Sequence, residues 1–153
     1  MEYAKQYQEY LTRVERALEN ACAVYLPEES EVCRAARYSL MGSGKRIRAV
    51  LVLAVCEMLH GSAEAADAFA AAVEMLHCES LIHDDLPCMD NDDLRRGKPS
   101  CHKAFGEATA MLAGDVLLTE AFNVIANAPA PASVCVNAAR ALAAGAGSHG
   151  LVY

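Results

Sequence analysis

From Ala63 to His83 the chain runs without a proline or a glycine, and the run is rich in Ala, Met and Leu. Nothing else in the sequence narrows the fold as much. Long apolar stretches built from strong helix formers pack as helices, whereas a β-sandwich calls for β-branched and aromatic residues. Alanine dominates the chain, aromatics are few and tryptophan is absent. Hydrophobic residues make up 54% and charged residues 22%, which supports a packed core and excludes a disordered segment. The expectation is an all-α fold. No repeat and no composition shift marks a boundary, so residues 1–153 read as part of one domain.

Residues 2–24 read as an amphipathic helix with Tyr3, Tyr7, Leu11, Val14, Leu18 and Ala21 near one face. Pro27 ends it, and Ser30 is placed to cap a second helix over roughly 31–41. Gly42-Ser43-Gly44 breaks the pattern. A third helix is expected from about Lys45 to Leu59, closed by His60-Gly61, and Ser62 starts a fourth that runs to His83. Residues 84–100 form a polar stretch. Helix returns from Gly106 to Ala126, and a last helix spans Ser133 to Ala146. The run from Ala108 to Ala128 is interrupted by Asp115 and Glu120, so no membrane-spanning helix and no stable membrane insertion are expected. The end at His149-Gly150-Leu151-Val152-Tyr153 carries no polar tail and reads as cut inside a structure.

The formal net charge of −7 sets a nucleic-acid binder aside, because such domains are usually basic. Seven cysteines, with no CxxC pair and no secretory signal, read as free thiols of a reducing cytosol. The expected location is therefore cytoplasmic. A zinc set could be drawn from Cys78, His83, Cys88, Cys101 and His102, but the spacings repeat no known zinc knuckle.

Five carboxylates, Asp84, Asp85, Asp90, Asp92 and Asp93, fall within ten residues directly after the long helix. Aspartate is a poor helix-interior residue, and carboxylates this close repel one another. A hard divalent cation removes that cost. Magnesium takes few protein carboxylates, keeps water and bridges to phosphates. Pro87 breaks the regular path, so Asp90 can return to the side of Asp84. On the acids alone, a solvated charged loop is an equal reading. Arg95 and Arg96 follow at once, and arginine suits bidentate capture of phosphate oxygens. Acids for a metal and arginines for the same anion make a metal–diphosphate constellation.

A second basic knot, Lys45, Arg46 and Arg48, follows the glycine turn. If Lys45 opens a helix, Lys45 and Arg48 share one of its faces and the free N–H groups of the first turn favour an anion. His77 lies seven residues before Asp84, near the same helix face. Alone, it reads equally as a structural histidine.

These residues resemble a known family. Gly44-Lys45-Arg46-Ile47-Arg48, Glu74-Met75-Leu76-His77, the segment Ser80–Pro99 and Ala113-Gly114-Asp115 are similar to the bacterial farnesyl diphosphate synthases and other short-chain trans-polyprenyl synthetases. The resemblance covers nearly the whole chain. It implies an antiparallel helical bundle of the isoprenoid synthase type, of which this chain is the N-terminal half, and a homodimer. It implies condensation of isopentenyl diphosphate with the allylic dimethylallyl or geranyl diphosphate to give farnesyl diphosphate. Asp84, Asp85 and Asp90 would be catalytic and hold Mg2+. Arg95 would contact the allylic diphosphate, and Lys45, Arg48, His77 and Arg96 the diphosphate of isopentenyl diphosphate.

The chain departs from the family at several points. Ser43 stands where a second glycine is commoner, and Ala49 where proline is usual. Glu79 stands five residues before Asp84, where a large aromatic often forms a floor that sets product length; Glu79 and Ser80 are the chain-length candidates. After Asp115 there is no further aspartate, whereas the family carries a second aspartate-rich motif. By that comparison the chain alone is expected to be inactive. Two alternatives stay open: a geranylgeranyl diphosphate synthase, and a non-catalytic prenyltransferase subunit. A metal-buffering helical protein would account for the acids and leave both basic knots idle.

Overall fold

The computed structural model describes residues 2–151, and over these the chain forms seven α-helices and one short β-hairpin. The all-α expectation holds. Met1, Val152 and Tyr153 lie outside the described residues, and with the last two goes part of the chain end read as cut.

Helix α1 (Glu2–Tyr25) buries Tyr10, Val14, Leu18, Ala21 and Cys22, spaced three, four and one residues apart along one face. The face expected from sequence is displaced at its start. Tyr3 is 78% exposed, and with Tyr7 it edges an open groove against the third helix. Helix α2 (Glu31–Leu40) begins as expected, with the Ser30 hydroxyl accepting from the Cys33 N–H.

Helix α3 (Ile47–Met58) begins two residues later than expected. Arg46, at its N-cap, takes left-handed backbone with φ 48. Lys45 therefore precedes the helix, and the expected shared face of Lys45 and Arg48 does not exist. The end of α3 matches the reading. His60 adopts φ 54, its N–H bonds the Glu57 carbonyl, and the Gly61 N–H bonds the Cys56 carbonyl. This pair of bonds is the Schellman closure, with histidine in the position glycine usually takes.

Helix α4 (Ala63–Asp84) starts on the Ser62 cap. It is followed by strands β1 (Leu94–Arg95) and β2 (Lys98–Pro99), the short helix α5 (Cys101–Phe105), α6 (Glu107–Ala126) and α7 (Ala132–Ala146). The hairpin and α5 lie within and just after the stretch read simply as polar.

Helices α4 and α6 form the centre. His83, near the end of α4, meets Met111 near the start of α6, while Glu64 and Asp67 share a cleft with Val124 and Asn127, so the two run antiparallel. Ala70, Ala71 and Ala72 of α4 and Ala110, Ala113 and Ala121 of α6 are buried. Small side chains let the two backbones approach closely. The alanine excess is thus the packing surface of the core pair.

By length and composition α6 is long and apolar enough to cross a membrane, which qualifies the expectation that no such segment exists. Here it packs on α2, α4, α5 and α7 as the central helix of the bundle. Cys22, Cys33, Cys78, Cys101 and Cys135 are buried as small apolar residues.

Candidate active site

Asp84 is the last residue of α4 and Asp85 is its C-cap. Carboxylates at a helix C-terminus oppose the helix dipole, so the fold gains nothing from them there. After Pro87 the chain turns back, and the Asp90 N–H bonds the Asp84 carbonyl at 2.8 Å. That bond brings the two aspartates together, as the spacing suggests. Neither carboxylate has a hydrogen-bond or ion-pair partner among the described residues, and Asp90 is exposed.

Asp85 differs. It is 2% exposed, and the Arg95 guanidinium grips it: Nε donates to Oδ1 and Oδ2 at 3.0 and 3.1 Å, and Nη2 donates to Oδ1. The Asp85 carboxylate holds the Arg95 guanidinium charged, raising its pKa. Asp92 adds a looser contact to Arg95 at 3.5 Å, and Asp93 pairs with Lys103 at 2.8 Å. Of the five acids, then, Asp84 and Asp90 are left open.

The hairpin carries the arginines to this place. Arg96 and Gly97 form its two-residue turn with φ 54 and 80, positive at both positions as a type I′ turn requires. The Tyr38 hydroxyl donates to the Pro99 carbonyl, and Arg96 donates to the Ser43 carbonyl, so α2 and the glycine turn hold the hairpin down. A Cβ on Gly44 would collide with the Arg96 guanidinium, which explains the glycine there.

His77, Arg96, Arg95 and Asp85 line one cavity of about 50 Å³ between α2, α4 and the hairpin. Arg48 reaches His77 from α3, with Nη1 3.3 Å from Nε2. Arginine can only donate, so Nε2 accepts and the ring is neutral. Burial pushes the His77 pKa down to about 4, and the charges of Arg48, Arg96, Arg46 and Arg95 push the same way. A neutral ring inside the field of four guanidinium groups suits an anion.

Arg46 belongs to that field but not to the surface. It is 5% exposed; Nε donates to Glu15, Nη2 donates to the Leu40 and Gly42 carbonyls, and Nη1 lies 3.7 Å from Glu74. Glu74 also accepts from the Ala49 N–H at 3.3 Å. Proline at 49 could not donate that bond. The basic knot of the sequence is therefore divided. Arg48 faces His77, Arg46 locks the turn, and Lys45 is exposed with its carbonyl accepting from Tyr7. Sequence reasoning missed Tyr38, Glu15 and the Ser43 carbonyl as supports, and no spacing signal marks them.

Ser80 donates to the His77 carbonyl. Glu79 is half-buried and pairs with His83 at 3.2 Å; burial raises its pKa, and the charge of His83 opposes the rise.

Among the described residues no three His, Cys, Asp or Glu side chains converge as a ready metal set, so the zinc set has no geometric basis. Burial also pushes the Cys78 thiol up to about 12, as for a small residue packed in the core. Two carboxylates without partners among the described residues, next to the cavity that Arg95 and Arg96 line, do fit magnesium, which uses one or two carboxylates plus phosphate oxygens.

The profile of the polyprenyl synthetase family matches residues 29–147. The chain is 52% identical over 141 residues to the chloroplastic geranylgeranyl pyrophosphate synthase of Capsicum annuum, an alignment covering 91% of this chain and 38% of that protein. It is 50% identical over 129 residues to the farnesyl diphosphate synthase of Micrococcus luteus, covering 84% of this chain and 44% of that protein. The solved geranyltransferase of Legionella pneumophila superposes with a TM-score of 0.92 at 41% identity, over 97% of this chain and 53% of the other. The chain thus spans less than half the length of these two curated relatives. The bundle is of the isoprenoid synthase type, and the chain belongs to the polyprenyl synthetase family.

Proposed function

We propose that residues 1–153 are the N-terminal part of a single isoprenoid synthase domain, and that the complete enzyme condenses isopentenyl diphosphate with allylic diphosphates. The observation that carries this reading is the neutral His77, bonded to Arg48, sharing one cavity with Arg95, Arg96 and Asp85, the neighbour of the open Asp84.

Asp84 and Asp90 would hold Mg2+ on the allylic diphosphate. Asp85, set beside them, orients Arg95 toward the same group. Arg48, His77 and Arg96, with Lys45 at the edge, take the diphosphate of isopentenyl diphosphate. Bound magnesium supplies charge stabilisation to the departing diphosphate. Arg95 adds a fixed positive group where that charge develops. The allylic cation is then attacked by the double bond of isopentenyl diphosphate, and loss of a proton completes the longer chain.

Farnesyl diphosphate is one product reading, supported by the Micrococcus luteus relative. Geranylgeranyl diphosphate is the other, supported by the Capsicum annuum relative and by the lack of an aromatic at Glu79. We take the enzyme as a cytoplasmic homodimer, a reading supported by the seven free cysteines and by Leu112, Leu118, Val134 and Val136 exposed on α6 and α7. In the complete enzyme Asp84→Ala is expected to abolish magnesium-dependent turnover, assayed by sizing the prenyl product. Near-normal turnover of that variant would sink the assignment.

A further inference from the structure

The loop between α2 and α3 has no backbone ladder of its own. From Ser43 to Arg46 no N–H meets a backbone carbonyl among the described residues. The carbonyls of Gly42, Ser43 and Lys45 are taken by side chains instead. Arg46 Nη2 donates to Gly42, Arg96 Nη1 donates to Ser43, and the Tyr7 hydroxyl donates to Lys45. Arg46 itself is left-handed at φ 48 and ψ 31. A residue with a side chain keeps that conformation only while its surroundings impose it. The close contact from outside the loop is Glu15 of α1, whose Oε1 accepts from Arg46 Nε at 2.8 Å. Glu74 stands further off at 3.7 Å. Tyr7 and Glu15 are both on α1, about two turns apart, so one helix holds the loop at Lys45 and at Arg46.

The loop in turn aims Arg96. The Ser43 carbonyl is the one acceptor of the Arg96 guanidinium among the described residues. The guanidinium also lies so close to Gly44 that a Cβ there would meet it. Arg96 and His77 line the same cavity, and Glu15 is not part of its wall. The Glu15 side chain is 38% exposed and reaches the site only through Arg46, which is buried between them.

We propose that Glu15, acting through Arg46, is a positioning residue that fixes Arg96 for the diphosphate of isopentenyl diphosphate, with Tyr7 holding the same loop at Lys45. The proposal rests on the prenyltransferase reading. An arginine on a loose loop must be ordered when its ligand arrives, and that ordering weakens binding. With the loop braced from α1, the ordering is completed on folding.

The test uses the full-length enzyme with magnesium, isopentenyl diphosphate and dimethylallyl diphosphate. Glu15→Ala is expected to raise the KM for isopentenyl diphosphate about tenfold, the scale of one charge-assisted hydrogen bond. The kcat and the KM for dimethylallyl diphosphate should stay near their parental values. Glu15→Gln keeps an acceptor for Arg46 Nε and should stay close to the parent in all three. Because the brace acts through Arg96, adding Glu15→Ala to Arg96→Ala should raise the KM for isopentenyl diphosphate no further than Arg96→Ala alone. A parental KM for isopentenyl diphosphate in Glu15→Ala overturns the brace. An equal rise in both KM values, or an additive double variant, overturns it as well, since a general loosening of the fold does the same. Should Glu15→Ala fail to fold, Tyr7→Phe, which removes one hydroxyl, is read in its place, with a raised KM for isopentenyl diphosphate expected and a parental one overturning the brace. If the full-length parent forms no prenyl product, the prenyltransferase reading falls. The brace is then judged by calorimetry with inorganic diphosphate and magnesium, where about tenfold weaker binding by Glu15→Ala supports it and unchanged affinity overturns it.

Discussion

Arg46 and Arg48 are two residues apart and do opposite work. Arg48 turns its guanidinium to His77, while Arg46 spends its donors on Glu15, Leu40 and Gly42 and sits beside Glu74. Arg46→Met leaves Glu74 buried with the Ala49 N–H as its remaining partner. The expected loss is about 3–5 kcal/mol, seen as a lower urea midpoint. His77 has a different signature. Its pKa in the folded protein is about 4, against 6.5 for the ordinary group. Between those values the unfolded chain takes up a proton that the folded chain refuses. This residue's contribution therefore costs stability as pH falls from about 6.5 to 4, and stability recovers as pH rises. An anion among the arginines offsets their field and should raise the His77 midpoint. Ring NMR titration with and without inorganic diphosphate checks this, and an unmoved midpoint would remove His77 from the anion contacts.

The hairpin is the element that turns a charged loop into a site. Its turn needs positive φ at Arg96 and Gly97, and a β-branched residue at 97 is strained there by about 1–2 kcal/mol. Gly97→Val should loosen Arg95 and Arg96 together. The expected result is about tenfold weaker binding of inorganic diphosphate with magnesium by calorimetry, since each 1.4 kcal/mol is a factor of ten. Unchanged affinity would mean that the hairpin does not carry the arginines' contribution. Helix α4 acts differently. It places His77 and Asp84 near one face by its period alone, so that pair was legible from spacing.

At the scale of the molecule, α4 against α6 is the frame on which everything else is hung. Leu117 of α6 is fully buried in that frame. Leu117→Ala leaves a cavity and should cost about 2–5 kcal/mol. Thermal or urea denaturation would register it, while diphosphate affinity below the transition should stay at the parental value. The same closeness of α4 and α6 lets the His83 ring rest on Gly114.

Local chemistry was enough to read every helix but the short α5, the caps at Ser30 and Ser62, the His60-Gly61 stop and the acid-then-arginine order of the site. These depend on near neighbours in the chain: period, capping, and charge within a few residues. What depends on distant pairs was beyond reach. The burial of Arg46 follows from Glu15 and Glu74, which stand 31 and 28 residues away in sequence. The commitment of Asp85 to Arg95 depends on a hairpin whose fold-back is held by Tyr38 and Ser43. Of five aspartates that look alike in sequence, Arg95 and Lys103 engage Asp85, Asp92 and Asp93, while Asp84 and Asp90 have no partner among the described residues. A carboxylate's role is set by what stands opposite it, and only the folded chain decides that.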